Sequence, residues 1–216
     1  MPRKLDTLNA IDDAGLILIV RLNDPTEVYN VATHAIKGGI RILEITLSTR
    51  GALDVIARLA EENTSDGVQI GAGTVLDGYS AYASINAGAT FLVSPQLNPE
   101  MLKVANRYQI ASISGALTPT EMVETVEGGA DIVKLFPTDA GPSYAKAVLA
   151  PLAHIPVIPA GGVTPQNAAE WFQAGVAGVA VGSYITKAAA ESKNYDDVAA
   201  AATTFIEAVR EARPRA

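Results

Sequence analysis

The chain has no cysteine and only two histidines among its 216 residues. Without thiols there is no disulfide, no thiolate nucleophile and no sulfur ligand for a metal. His34 falls in the first helical stretch and His154 precedes the seventh strand candidate. With no other histidine, a zinc site of the usual kind is not expected, nor is a cofactor. Long hydrophobic runs are missing too, and none approaches the ~20 residues of a membrane-spanning helix. The opening Met1-Pro2-Arg3-Lys4-Leu5-Asp6 lacks an apolar signal region, so the expected location is cytoplasmic. Basic residues are in deficit, 16 Lys and Arg against 23 Asp and Glu, for a net charge of −7. That balance argues against nucleic-acid partners, while leaving room for a local cationic pocket around an anionic metabolite.

What is present suits an α/β fold. Apolar residues make up 49% of the chain, enough to bury a full core, and the length fits the lower end of α/β-barrel sizes. The 18 glycines and 12 prolines are dispersed, as punctuation between short elements. Eight strand candidates follow: Leu16–Val20, Ile40–Leu47, Val68–Gly71, Phe91–Ser94, Ile110–Ser114, Asp131–Phe136, Pro156–Pro159 and Gly178–Val181. Most are continuous apolar runs, the pattern of parallel strands covered on both faces.

Between them lie amphipathic stretches with start signals. Asp24-Pro25-Thr26-Glu27 and Thr118-Pro119-Thr120-Glu121 read as capping boxes with proline in the first turn. Asn98-Pro99 and Thr164-Pro165 are further cap-plus-proline starts, and glycines at 38–39, 88, 128–129 and 175 mark exits. Helices near Leu5–Asp13 and Tyr195–Arg213 flank the set. Strict β-then-α alternation predicts a (β/α)₈ TIM barrel, one domain over residues 1–216 with an extra N-terminal helix. An open doubly wound sheet is the alternative. The polar residues Glu44, Thr74, Ser94, Lys134 and Ser183 favour the barrel, because all sit at or near strand C-terminal ends, where barrels build their sites.

Lys134 is the one lysine inside a strand candidate, within Asp131-Ile132-Val133-Lys134-Leu135-Phe136-Pro137. Burial disfavours the charged form of a lysine, and a neutral amine is a nucleophile toward carbonyls. Alternation puts Ile132, Lys134 and Phe136 on one face, and Ile42, Glu44 and Thr46 on one face of strand 2. If both faces line the barrel, Lys134 and Glu44 converge. A structural buried ion pair is an equally open reading of that pair.

Two glycine turns tip the balance. Pro159-Ala160-Gly161-Gly162-Val163 follows strand 7 and Val181-Gly182-Ser183-Tyr184 follows strand 8, the usual position of a phosphate cradle in barrel enzymes. Amine, carboxylate and cradle together suggest a phosphorylated carbonyl compound and Schiff-base chemistry. Arg21 and Arg50 follow strands 1 and 2 at the catalytic end, where either can hold a carboxylate or simply be solvated. Arg41 begins strand 2, at the stability end. Tyr184 and Trp171 read as packing.

The motifs Leu43-Glu44-Ile45-Thr46-Leu47, Gly71-Ala72-Gly73-Thr74-Val75, Val93-Ser94-Pro95, Val133-Lys134-Leu135-Phe136-Pro137 and Ala160-Gly161-Gly162-Val163 occur in this order. Together they resemble the class I aldolases acting on 2-keto-3-deoxy-6-phosphogluconate and 4-hydroxy-2-oxoglutarate, including the phosphogalactonate-type members. The resemblance implies a metal-free lyase that releases pyruvate and glyceraldehyde 3-phosphate, and a homotrimer. It makes Lys134 the Schiff-base lysine and Glu44 the general acid/base, acting through a water. It assigns Thr74 to the pyruvate carboxylate, Pro95 and Phe136 to the pyruvyl pocket, and Gly161, Gly162, Gly182 and Ser183 to the phosphate.

Three positions depart from the commoner gluconate-type pattern. Ser48, a candidate substrate-binding position, stands where many members carry a carboxylate-binding arginine. Ala160 replaces a threonine, and Ser114 replaces a proline before Gly115. Members preferring the galactonate epimer also lack that arginine and have one ending strand 1, here Arg21. A phosphosugar isomerase or epimerase on the same barrel, or a non-catalytic phosphometabolite sensor, are the alternatives.

Overall fold

The computed structural model describes residues 3–63 and 67–213. Met1 and Pro2, used above for location, and the last three residues of the 1–216 domain lie outside them. Among the described residues there are eight strands: β1 Leu16–Val20, β2 Ile42–Thr46, β3 Gln69–Gly73, β4 Phe91–Val93, β5 Ala111–Ala116, β6 Ile132–Leu135, β7 Val157–Pro159 and β8 Val179–Val181. They pair in parallel in the order β7-β6-β5-β4-β3-β2-β1-β8. The two ends meet through the bridge Ala160↔Ala180 and a 2.9 Å bond from the Ala177 N–H to the Val157 carbonyl. The sheet thus closes into a (β/α)₈ TIM barrel, not an open doubly wound sheet.

Strand alternation divides the core in two. Ile17, Ile42, Phe91, Ile113, Ile132 and Ile158 point inward and fill the barrel. Leu18, Leu43, Ile45, Leu92, Val133 and Leu135 point outward under the helices. Burial on both faces explains why these strands read as continuous apolar runs.

The helices are α1 Lys4–Ala14, α2 Pro25–Lys37, α3 Ala52–Glu62, α4 Gly78–Asn86, α5 Pro99–Tyr108, α6 Pro119–Glu127, α7 Gly141–Leu149, α8 Ala168–Gln173, α9 Ser183–Thr186 and α10 Asp196–Ala212. α1 is the extra N-terminal helix and plugs the bottom of the barrel. Ile11 and Leu8 pack on the interior cluster, Thr7 donates to Gln69 Oε1 at 3.1 Å, and Lys4 pairs with Asp131 at 2.8 Å.

Thr118 and Glu121 form a reciprocal capping box on α6, whereas Asp24 caps α2 by accepting from the Thr26 N–H at 3.1 Å. The start expected at Thr164-Pro165 is a turn instead. There the Thr164 N–H donates to Asn167 Oδ1 at 2.8 Å, and the helix begins at Ala168. Strand β3 runs on to Gly73, beyond the expected Gly71, because its pairing with β2 continues through Ile45↔Ala72 and Thr46↔Gly73. Other strand boundaries move by one or two residues. No described helix is long and apolar enough to cross a membrane.

Candidate active site

Lys134 lies in the middle of the short strand β6, in register with Gly115 on β5 and Ile158 on β7. Its side chain is inward and nearly closed off, with the residue 5% exposed. Glu44 lies in β2, in register with Ile19 and Gly71, and is 1% exposed. Lys134 Nζ stands 3.5 Å from Glu44 Oε2, and 5.8 Å from the centre of the Phe136 ring. Glu44 Oε1 is buried and has no hydrogen-bond partner among the described residues. A carboxylate with one oxygen on an amine and the other uncommitted still has capacity to take a proton.

Three inward glycines make this packing possible. A Cβ on Gly73 would strike the Glu44 carboxylate, and one on Gly71 would enter the Phe91 ring at 2.5 Å. At Gly115 it would collide with the Pro95 and Gln96 backbone. The Pro95–Gln96 segment is pinned there by Ser114, whose hydroxyl donates to the Gln96 carbonyl at 2.9 Å and accepts from the Asn98 N–H at 3.3 Å. Ser114 therefore does a tethering job on the β4–α5 loop. Thr74, just past β3, is held at φ 58°. A β-branched residue in the left-handed region is strained, a condition that persists where the surroundings over-determine it.

Above Lys134 opens a pocket of about 240 Å³. Its lower wall is Lys134, Phe136 and Ile19, and its rim is formed by Ala160, Gly161, Gly182 and Ser183. Thr138 donates to the Ala160 and Gly161 carbonyls at 3.2 and 2.7 Å. In a trans peptide the N–H points opposite to the carbonyl, so the Gly161 and Gly162 amides face away from Thr138. Gly161 and Gly162 hold φ of 108° and 66°, values open to glycine and costly for other residues. Arg21, Thr186 and Lys187 complete the lining.

Of the residues expected from sequence, Lys134, Phe136, Arg21, Gly161, Gly182 and Ser183 line this pocket. Glu44 is reached through its contact with Lys134. Gly162 is exposed beside Gly161. Thr74 and Pro95 are half-buried on the β3 and β4 side, outside the pocket lining. Ser48 is exposed and bonded to Thr46 Oγ1 at 3.0 Å, also outside the lining.

Arg50 is exposed and not part of the lining. Arg41 donates to the Ile36 and Ile40 carbonyls at the other end of the barrel. Tyr184 packs edge-on against Phe205, and Trp171 is buried. Sequence reasoning missed Thr186 and Lys187 as pocket residues. Among the described residues, no group of three His, Asp or Glu is placed to hold a metal.

Comparison with known proteins agrees with this architecture. The family model for KDPG and KHG aldolases matches residues 8–201. The 2-dehydro-3-deoxy-6-phosphogalactonate aldolase of Escherichia coli is 35% identical over 199 residues, covering 91% of this chain and 95% of that one. A 2-dehydro-3-deoxy-phosphogluconate aldolase of Pseudoalteromonas atlantica is 33% identical over 170 residues, 78% of each chain. The KDPG aldolase of Legionella pneumophila, solved with pyruvate captured as a covalent carbinolamine, superposes with a TM-score of 0.81. It is 26% identical and the match covers 91% of this chain and 96% of that one. With the family model spanning nearly the whole barrel, the chain belongs to the KDPG and KHG aldolase family of carbon–carbon lyases.

Proposed function

We propose that this protein is a class I aldolase cleaving a 2-keto-3-deoxy-6-phospho sugar acid to pyruvate and glyceraldehyde 3-phosphate, and also accepting 4-hydroxy-2-oxoglutarate. The observation that carries it is a lysine 5% exposed at the foot of the pocket, 3.5 Å from a buried carboxylate. The Lys134 amine adds to the C2 carbonyl, and loss of water leaves an iminium. Glu44, through a water, takes the proton of the C4 hydroxyl as the C3–C4 bond breaks and its electron pair flows into the iminium. Glyceraldehyde 3-phosphate departs. The remaining enamine is protonated at C3, and water releases pyruvate and the free amine.

Thr74 and Arg21 hold the carboxylate in this reading, Pro95 and Phe136 wall the pyruvyl group, and Ser48 lies where the carboxylate arginine of other members would stand. Gly161, Gly162, Gly182 and Ser183 hold the phosphate through the turns after β7 and β8. No metal or other cofactor takes part. The carbinolamine captured in the Legionella relative supports the amine chemistry. The 35% identity to a phosphogalactonate aldolase supports activity on the galactonate epimer. The isomerase and sensor alternatives gain no support from the family model or the relatives.

We assign the protein to the cytoplasm as a single-domain homotrimer. The exposed Leu76, Tyr79, Tyr82 and Tyr108 on and beside α4 and α5 offer an apolar surface for a second copy. The test of the function is reduction with borohydride in the presence of pyruvate, followed by peptide mass spectrometry. One reduced pyruvyl adduct at Lys134 is expected. An adduct at Lys146 or Lys187 instead, or none, overturns the assignment.

A further inference from the structure

The pocket is unbalanced in charge. Arg21, Lys134 and Lys187 line it, and none of the described residues lining it is acidic. Lys134 is matched by Glu44 beneath it. Neither Arg21 nor Lys187 forms an ion pair among the described residues. In a chain with a net charge of −7, two unpaired cations at one opening are a local reversal of sign. Such a reversal concentrates anions at the opening.

Lys187 follows the four-residue α9, and its N–H donates to the Ser183 carbonyl at 3.1 Å. Residues four apart on a helical turn lie on one face, which sets the Lys187 side chain on the side of Ser183 and the Gly161–Gly182 rim. Glycine amides supply partial charges and no formal charge. A phosphate monoester carries a charge of about −1.5 to −2 at neutral pH. The cradle alone therefore leaves most of that charge unmatched. Of the two unpaired cations in the lining, Arg21 is given to the carboxylate in the reading above, which leaves Lys187, next to Ser183 in the same lining, for the phosphate.

We propose that Lys187 is a substrate-binding residue that pairs with the phosphate of the substrate and makes the enzyme selective for phosphorylated over unphosphorylated keto acids. The proposal rests on the aldolase reading above and adds to it the group that sets phosphate dependence. Lys187 is exposed, so the pair works partly screened by water, and its effect is about tenfold, below the full range of a buried charged hydrogen bond.

The experiment compares the wild type with Lys187→Gln and Lys187→Arg, on the 6-phospho substrate and on its unphosphorylated analogue. Inorganic phosphate serves as a competing ligand. In Lys187→Gln the KM for the phosphorylated substrate rises about tenfold with kcat little altered, and the phosphorylated-to-unphosphorylated ratio of kcat/KM falls about tenfold. The inhibition constant of inorganic phosphate rises in step, and Lys187→Arg restores both. An unchanged ratio and inhibition constant, or an equal loss on both substrates, overturns the proposal. Borohydride trapping of pyruvate on the same proteins separates the two claims. A wild type without an adduct at Lys134 refutes the aldolase reading, whereas an intact adduct with unaltered phosphate dependence refutes only the role of Lys187.

Discussion

Gly73→Ala is the sharpest perturbation the structure offers, because one methyl group reaches the proposed base without altering any titratable group. Gly73 does not lie in the left-handed region, so alanine fits the backbone. Its Cβ would stand 2.5 Å from the Glu44 carboxyl carbon. Carbon atoms sit at best about 3.5–4.0 Å apart, so the carboxylate must retreat by about 1 Å. Glu44 is 1% exposed and cannot swing into solvent. Its retreat therefore changes the 3.5 Å spacing to Lys134 Nζ.

A displacement of about 1 Å in a reacting group can cost on the order of 10²-fold in rate, equivalent to about 2.7 kcal/mol of transition-state stabilisation. Extra volume in a filled core costs about 1–3 kcal/mol of stability, so the variant is expected to fold with a lowered Tm. The assay is steady-state cleavage coupled to pyruvate reduction, run beside borohydride trapping. kcat should fall about a hundredfold while the Lys134 adduct still forms. A folded Gly73→Ala enzyme with wild-type kcat would show that the position of Glu44 does not matter to the chemistry.

Glu44→Gln retains shape but cannot accept a proton. It should trap pyruvate while cleavage drops by about 10²–10⁴-fold, and cleavage near the wild-type rate would return the pair to a structural ion bridge. With Ser48 outside the pocket and Ala160 offering no hydroxyl, the galactonate-type and gluconate-type substrates should have kcat/KM within about tenfold of each other, roughly 1.4 kcal/mol. A thousandfold gluconate preference contradicts this. Arg21→Ala should raise KM, and an unaltered KM leaves Arg21 a solvated loop charge. The N–H groups of Thr118 and Leu117 hold the Glu121 carboxyl below its ordinary value of 4.5. A depressed carboxyl stabilises the fold above its unfolded pKa, and that stabilisation fades as pH falls through the lower folded value. The Tm gap between wild type and Glu121→Gln should therefore close in acid; a gap constant from neutral pH to about pH 3 would refute the linkage.

The barrel was legible in the sequence because strands buried on both faces read as uninterrupted apolar runs, and period-two alternation brought Lys134 and Glu44 inward together. The glycine turns at Gly161 and Gly182 were visible for a similar local reason. Other features depend on register between strands distant in sequence. Thr46 opposite Gly73 is what lays the Glu44 carboxylate over a residue with no side chain, and no local pattern encodes that. Lys187 reaches the pocket through a helix of four residues, too short to show a period. Thr164-Pro165 carries a sound start signal, yet Asn167 takes the Thr164 N–H and delays the helix. Ser114 looked like a substitution of proline, and only the fold shows it fastening the β4–α5 loop.

The closure of the barrel has a consequence for its mechanics. Among the described residues, seven seams between strands are held by two to five residue pairs each, whereas the eighth has the bridge Ala160↔Ala180 and the bond from the Ala177 N–H to the Val157 carbonyl. Both glycine turns sit just above that thin seam, one on each side of it. An anion gripped by both turns acts as a clasp, joining the first and last arcs of a hoop that the chain itself fastens lightly. Occupancy should therefore show up as rigidity: at a hundredfold excess over Kd a ligand adds about 2.7 kcal/mol to stability, and amide exchange should slow first along Val179–Val181, the strand the clasp secures.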